Sequence, residues 1–342
     1  MNMDNTHFEE ILQFIRTLYP NENPVPLHAP RFLGREKEYL TQCIETTYVS
    51  YVGQFVTDFE EHIKKLTGAH YAVAIANGTA ALHMTLLAAG VQPGNEVITQ
   101  ALTFVATAAG IKHALAEPVF IDVEAKTLGM SPEALKAFLV ENASYKNGAT
   151  INKKTGKRIA AVVPMHTFGH PVRLEEISAI CDEYGLMLIE DAAESLGSTY
   201  KGKHTGTFGK LGIGIFNGNK TITTGGGGMI LTNDNELGPL AKHITTTAKK
   251  PHPWKFEHDM IGYNYRLPNI NAALGCAQME MLPEILKNKR ETAQIYQDYF
   301  KTIADIEFIT EPKECISNYW LNAILLKNEE ERNIFLEQTN SQ

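Results

Sequence analysis

The sequence predicts an α/β fold in which a mostly parallel central sheet carries helices on both faces. Two observations carry that expectation. Between Tyr71 and Glu190, short apolar runs alternate with stretches patterned for helices, as in Tyr71 to Ala76, Ala80 to Ala89, Glu96 to Thr99 and Phe104 to Leu115; strands and helices taking turns along a chain build parallel sheets. The second is size. The 342 residues are 44% apolar and 20% charged, enough for one large core and a smaller one.

Taken in order, Phe8, Ile11, Leu12, Ile15 and Leu18 recur at helical spacing and predict an amphipathic helix over residues 7 to 19. Pro20, Pro24, Pro26 and Pro30 then draw the chain into an extended arm. Helices are expected from Gly34 to Thr46 and from Val56 to Leu66, the second ending near Gly68. Strands are expected at Pro118 to Asp122, Ile159 to Pro164 and Leu186 to Glu190, with helices at 132 to 142, after the Ser131-Pro132-Glu133 start signal, and at Leu174 to Tyr184. Ser144 to Lys157 reads as a polar surface excursion, and Lys249 to Lys255, basic and broken by proline, as a loop or a lid over an anionic substrate. A long helical tract runs from Ile270 towards Tyr299, kinked or divided at Pro283, and a last helix from Glu329 to Gln338.

Function concentrates in Phe216-Asn217-Gly218-Asn219-Lys220-Thr221-Ile222-Thr223-Thr224-Gly225-Gly226-Gly227-Gly228, which sits between the strand-like runs Leu211 to Phe216 and Met229 to Thr232. Most lysines lie on the surface with the stem over apolar neighbours. Here four glycines without Cβ atoms let another group approach the backbone. A lysine beside such a space can attack an aldehyde to form a Schiff base, and the candidate aldehyde is pyridoxal phosphate. A nucleotide phosphate loop fits less well, since the lysine precedes the glycines.

Other residues fit the same cofactor. Asn77-Gly78-Thr79 comes after a strand and opens a helix, a place where backbone amides and the helix dipole suit a phosphate. Asp191 ends an apolar run; such acids are often solvated or cap helices, but beside a pyridine a carboxylate keeps the ring nitrogen protonated. Phe104 reads as core packing or as a stacking surface for a flat ring. His166 and His170, four apart but flanked by Pro164 and Gly169, make a poor metal pair, and no metal is expected.

A net charge of −8 argues against nucleic acid as partner. No apolar run approaches the roughly 18 residues of a membrane span, and the polar start Met1 to His7 is not expected to be a signal peptide. Cys43, Cys181, Cys276 and Cys315 are too scattered for a metal or redox motif and fit a reducing cytoplasm.

Together, Asn77-Gly78-Thr79-Ala80-Ala81-Leu82, Thr103-Phe104, Glu190-Asp191-Ala192-Ala193-Glu194, the lysine stretch and Gly262-Tyr263-Asn264-Tyr265-Arg266 resemble the DegT/DnrJ/EryC1/StrS family of pyridoxal-phosphate sugar aminotransferases, over about residues 30 to 290. The N-terminal helix, Ala29-Pro30-Arg31-Phe32 and Asn217-Gly218-Asn219-Lys220 are similar to the subfamily that aminates a 4-keto nucleotide sugar for legionaminic acid or bacillosamine. The resemblance implies fold type I of the pyridoxal-phosphate transferases, with an N-terminal arm (1–35), a large cofactor domain (36–280) and a small, shortened C-terminal α/β domain (281–342).

It further implies that Lys220 bonds the cofactor and shuttles the proton, and that Asp191 pairs with the ring nitrogen. Phe104 would stack on the ring, Gly78 and Thr79 would hold the phosphate, and Glu194 would lie near the ring hydroxyl. Asn217 would join the cofactor site, and Asn264 would reach the cofactor of a second subunit in a homodimer. Glutamate and a UDP- or GDP-linked 6-deoxy 4-keto hexose would be the substrates. A dehydratase or isomerase on the same scaffold is opposed by Lys220, since such dehydratases carry histidine there. A binding-only protein is the other alternative, prompted by the short end and by Ile215, which stands where the family usually places serine or threonine.

Overall fold

The computed structural model describes residues 5–341; the first four residues of the polar start lie outside the described residues. The chain opens with helices α1 (Asn5–Leu18), α2 (Glu36–Glu45) and α3 (Gln54–Thr67). Then come β1 (Tyr71–Ile75), α4 (Gly78–Ala88), β2 (Glu96–Gln100), α5 (Val105–His113), β3 (Glu117–Ile121) and α6 (Pro132–Asn142). After these lie β4 (Ala143–Lys146), β5 (Ala149–Asn152), β6 (Ile159–Val163), α7 (Leu174–Tyr184), β7 (Met187–Asp191), β8 (Thr199–Tyr200) and β9 (Lys203–His204). The order continues through β10 (Leu211–Ile215), β11 (Gly228–Thr232), α8 (Leu237–Thr245) and α9 (Asn269–Phe300). Short strands β12 (Glu307–Phe308), β13 (Cys315–Ile316) and β14 (Ile324–Leu325) lead to α10 (Glu329–Ser341).

The central sheet has the strand order β1-β11-β10-β7-β6-β2-β3. All its pairings are parallel except the two made by β11, which is antiparallel to both β1 and β10. Alternate residues of single strands enter different cores, the sign of a sheet covered on both faces. Val73, Ile75, Ile189 and Ile230 pack with Leu82 and Met84 of α4 and Ile111 of α5. Ala72, Ala74, Met229 and Leu231 pack on the other face with Phe59 of α3 and Ala272 of α9, and Leu188 does so with Ile177 of α7. The α/β fold expected from the sequence is therefore present.

Three stretches differ from the sequence reading. Ser144 to Lys157 is largely exposed, as a surface excursion should be, but it carries regular structure that was not anticipated: β4 and β5 form a hairpin around Asn147 and Gly148, both at positive φ, and Asn-Gly is the dipeptide such tight turns favour. Asn152 Nδ2 and Thr155 Oγ1 then bond the Glu96 carboxylate at 2.8 and 2.7 Å. Pro283 does not divide α9, which runs unbroken through it for 32 residues. A helix not anticipated, α8, begins where Asp234 Oδ1 accepts the amides of Glu236 and Leu237. Beyond the sheet, α9 and the last strands share a small core with α1, built from Phe8, Ile11, Ala293, Phe300 and Phe308.

His204, 6% exposed, is fixed as a neutral imidazole: its Nε2 accepts the Gly197 amide at 2.8 Å while Nδ1 donates to the Thr205 carbonyl. Burial pushes its pKa down from 6.5 to about 4, against the opposing pull of the Thr205 bond. Between those values the unfolded chain holds the proton and the folded chain does not, so this stability is complete above pH 6.5 and is lost as pH falls towards 4. The full loss is on the order of 3 kcal/mol. Urea unfolding at pH 7, 5.5 and 4 should show His204→Asn less stable at pH 7 yet flatter below pH 6.5; equal slopes in variant and parent would refute the assignment.

Candidate active site

The carboxyl ends of parallel strands gather the candidate residues, as expected for sheets of this kind. Asp191 closes β7 and lies opposite Ile213 of the adjacent parallel β10. After β10 the chain leaves the sheet through Phe216 and turns back at Lys220, whose amide donates to the Asn217 carbonyl at 3.1 Å. Both side chains are deeply buried, Asp191 at 2% and Lys220 at 8% exposure.

Burying an ammonium is tolerable only where charge and donors match it. Lys220 Nζ sits 3.4 Å from Glu194 Oε1 and 3.9 Å from the centroid of the Trp320 ring. Glu194, 5% exposed, also accepts the Phe168 amide at 2.8 Å through Oε2. Burial raises the Glu194 pKa, while Lys220 and the Phe168 amide oppose it. Asp191 accepts from Thr107 Oγ1 at 2.7 Å and from the Ala193 amide at 3.2 Å. Burial raises its pKa too, opposed first by Thr107, then by Ala193 and by the charge of Lys220. Asp191, Glu194 and Lys220 thus form one electrostatic group beyond the carboxyl ends of the central strands β7 and β10.

The start of α4 lies beside it. Asn77 caps this helix, its side chain taking the Ala80 amide at 2.9 Å and its carbonyl the Ala81 amide at 3.0 Å. The first amides of a helix have no intrahelical partner, so those of Gly78 and Thr79 remain for an anion. A Cβ at Gly78 would stand 2.1 Å from Ile215 Cδ1. Ile215, at the end of β10, therefore packs directly on the α-carbon of Gly78, and glycine is needed there for want of space.

Phe104 precedes α5 and is 62% exposed, so it is not core packing. Asn217 contributes its carbonyl to the lysine turn, while its side chain is exposed. Asn264 joins none of the bonds around Lys220; it is exposed and accepts from Arg266 Nε at 2.9 Å, beyond β1. His166 is fully engaged: Nε2 meets Glu190 Oε2 at 3.1 Å and Nδ1 accepts the Val172 amide at 3.2 Å.

Two contributors were not picked out from the sequence. Thr107 is the one hydroxyl on the first turn of an apolar helix, and its placement three residues after Phe104 was the available signal. Trp320 has no local motif; it arrives from the far end of the chain, tied by Nε1 to the Asn219 carbonyl at 2.7 Å. Asn318 fixes that segment by donating to the carbonyls of Glu194 and Leu196.

The residues present fit pyridoxal phosphate. There is a free pair of helix amides for its phosphate, a buried carboxylate kept among hydrogen-bond donors for its ring nitrogen, and a buried primary amine for its aldehyde.

Comparison with known proteins agrees. The sequence pattern of the DegT/DnrJ/EryC1/StrS aminotransferase family matches residues 32–342. GDP-perosamine synthase of Escherichia coli O157:H7 is 37% identical over 90% of this chain and 79% of its own length. GDP-perosamine synthase of Vibrio cholerae is 35% identical over 89% and 78% respectively. Among solved structures, a DegT DnrJ EryC1 StrS aminotransferase from Brucella abortus superposes with a TM-score of 0.79 at 27% identity, covering 90% of this chain and 79% of that one.

The Gly78 contact can be checked without any ligand. Gly78→Ala should lower stability by about 1–3 kcal/mol through overpacking, and Gly78→Ala with Ile215→Ala should recover much of that loss in thermal unfolding. Additive losses in the double variant would rule out the contact.

Proposed function

Because this chain belongs to the DegT/DnrJ/EryC1/StrS aminotransferase family, and is thereby a pyridoxal-phosphate sugar aminotransferase, we propose that it moves an amino group from glutamate to the 4-keto carbon of a UDP- or GDP-linked 6-deoxy hexose. The pathway fitting this reading is of the legionaminic acid or bacillosamine type. The observation that carries it is the buried amine of Lys220 held 3.4 Å from Glu194 within the same group as Asp191.

When bound, the cofactor supplies an aldehyde to carry the amino group and a ring that takes up the electrons left on a substrate carbon. Lys220 Nζ is its point of attachment, and the same nitrogen takes and returns the proton at the reacting carbon in both halves of the exchange. Glu194 holds the charge of that amine when it is protonated. Asp191 faces the ring nitrogen, its ionised form supported against burial by Thr107 and Ala193. The amides of Gly78 and Thr79 bind the phosphate, Phe104 covers the ring and Asn217 lines the lysine turn.

Asn264 serves the site of a second copy of the chain, and the working unit is a homodimer. Exposed Leu102, Phe104, Val105, Trp254 and Phe256 support that reading, since large exposed apolar surface marks interaction sites. Residues 1–35 act as a helix with an extended arm, 36–280 as the cofactor domain and 281–342 as the small domain, on whose core α1 packs. Among the described residues no helix is long and apolar enough to cross a membrane. The four cysteines are buried and free, which supports work in the cytoplasm.

Purified protein should carry a visible cofactor band that glutamate abolishes and a 4-keto sugar nucleotide restores, with mass spectrometry of a UDP- and GDP-linked panel naming the product. Lys220→Ala should lose the covalently held band and fall in turnover by roughly four orders of magnitude or more; a variant that keeps both would sink the role given to this lysine. Ile215→Ser, adding a hydroxyl beside the phosphate amides, should tighten cofactor retention by about tenfold, a hydrogen bond to a charged group being worth about 1.5–3 kcal/mol. Unchanged retention on dialysis would count against Gly78 and Thr79 as the phosphate cradle.

A further inference from the structure

Next to Lys220 lies a cavity of about 810 Å³, walled by the arm after α1, by the middle of α9 and by the Tyr319 to Asn322 segment. Its lining includes His28, Lys220, Lys289 and Asn322. Lys289, on α9, is half-buried. One of its three ammonium hydrogens goes to the Trp320 carbonyl at 2.9 Å, and among the described residues no carboxylate pairs with it. The two acids in the wall do not serve it: Glu22 is paired with Arg31 at 2.7 Å, and Glu284 is exposed.

A half-buried cation without a counter-ion is an unfavourable arrangement that a bound anion relieves. Burial pushes the Lys289 pKa down to about 8. It also pushes His28 to about 4, with the charges of Lys289 and Lys220 adding to the shift. The second shift places His28 within reach of two cationic side chains, Lys289 and Lys220. In the same wall His28 Nδ1 and Asn322 Oδ1 are buried without hydrogen-bond partners. A neutral imidazole can present that ring nitrogen as a donor to an oxyanion, whereas the Asn322 oxygen only accepts and gives an anion nothing.

We propose that this cavity is a subsite for an anionic oxygen group of a substrate, a carboxylate or a phosphate, and that Lys289 is the cation that holds it. Its description as a substrate subsite rests on the proposed role of Lys220; its capacity to bind an oxyanion does not. Two substrate groups carry that chemistry, the distal carboxylate of a dicarboxylate amino donor and the diphosphate of a sugar nucleotide. Two of the Lys289 donors remain for either, and Lys220 stands in the same lining.

The test is isothermal titration calorimetry on cofactor-saturated protein, so that the cofactor's own phosphate cannot be the occupant. Glutarate, which has two carboxylates and no amine to transfer, is one probe; UDP and GDP are the other. One class should bind the parent protein, and Lys289→Met should weaken that class by roughly tenfold or more, the worth of a charge-assisted hydrogen bond. Lys289→Arg should weaken it far less, and thermal unfolding of both variants controls for folding. Weakening confined to glutarate assigns the subsite to the amino donor; weakening confined to the nucleotides assigns it to the diphosphate. Failure of both classes to bind the parent, or equal affinity in Lys289→Met, overturns the proposal. No probe is turned over, so a chain that bound glutarate through Lys289 but never transaminated would contradict the proposed function and leave the subsite standing.

Discussion

The structure depends on keeping one amine and two carboxyl groups out of water at the carboxyl ends of the central strands. Lys220, Glu194 and Asp191 are each under a tenth exposed, and unpaired burial of such charges would cost several kcal/mol apiece. The fold meets that cost with donors fixed by backbone: the Phe168 amide on Glu194, the Ala193 amide and the Thr107 hydroxyl on Asp191. These donors come from a tight turn at Phe168, from the loop just after β7 and from the first turn of α5. Even the aromatic face of Trp320 takes part, since a ring over an ammonium offers attraction without a counter-ion.

Much of this was legible in the sequence. Alternating apolar runs marked the strand and helix order, and the helix over 132 to 142 has its start at Ser131, whose hydroxyl caps the Ala134 amide as its residue type suggests. Lysine succeeded by glycines drew attention to the turn that buries the Lys220 amine, and Asp191 at the end of an apolar run to the end of β7. Thr107 and Trp320 were hidden for a physical reason. Each acts through a contact spanning a large separation in sequence, 84 residues from Thr107 to Asp191 and 101 from Trp320 to Asn219, and no local pattern encodes such a pairing. The hairpin at Asn147-Gly148 was missed for the opposite reason: its turn signal was local and plain, but the polar flanks concealed the strands.

Ile215 takes on a second meaning from its place in the fold. Read along the chain, it is a missing hydroxyl beside the proposed phosphate cradle. In space, its δ-methyl rests where the first residue of α4 would carry a side chain. The isoleucine therefore makes an apolar contact within the protein at the junction of β10 and α4. The glycine at 78 and the isoleucine at 215 are a matched pair, and neither can be altered without regard to the other.

The unbroken α9 has a mechanical consequence. One end is anchored in the core beneath the sheet through Ala272, Cys276 and Leu282, the other in the separate core around Ala293 and Phe300. A rod clamped at both ends transmits torque between two bodies and gives them no free hinge. Any rocking of the Trp320 segment against the lysine must bend that rod, and the weakest point along it is Pro283, whose nitrogen has no hydrogen to offer the turn before it.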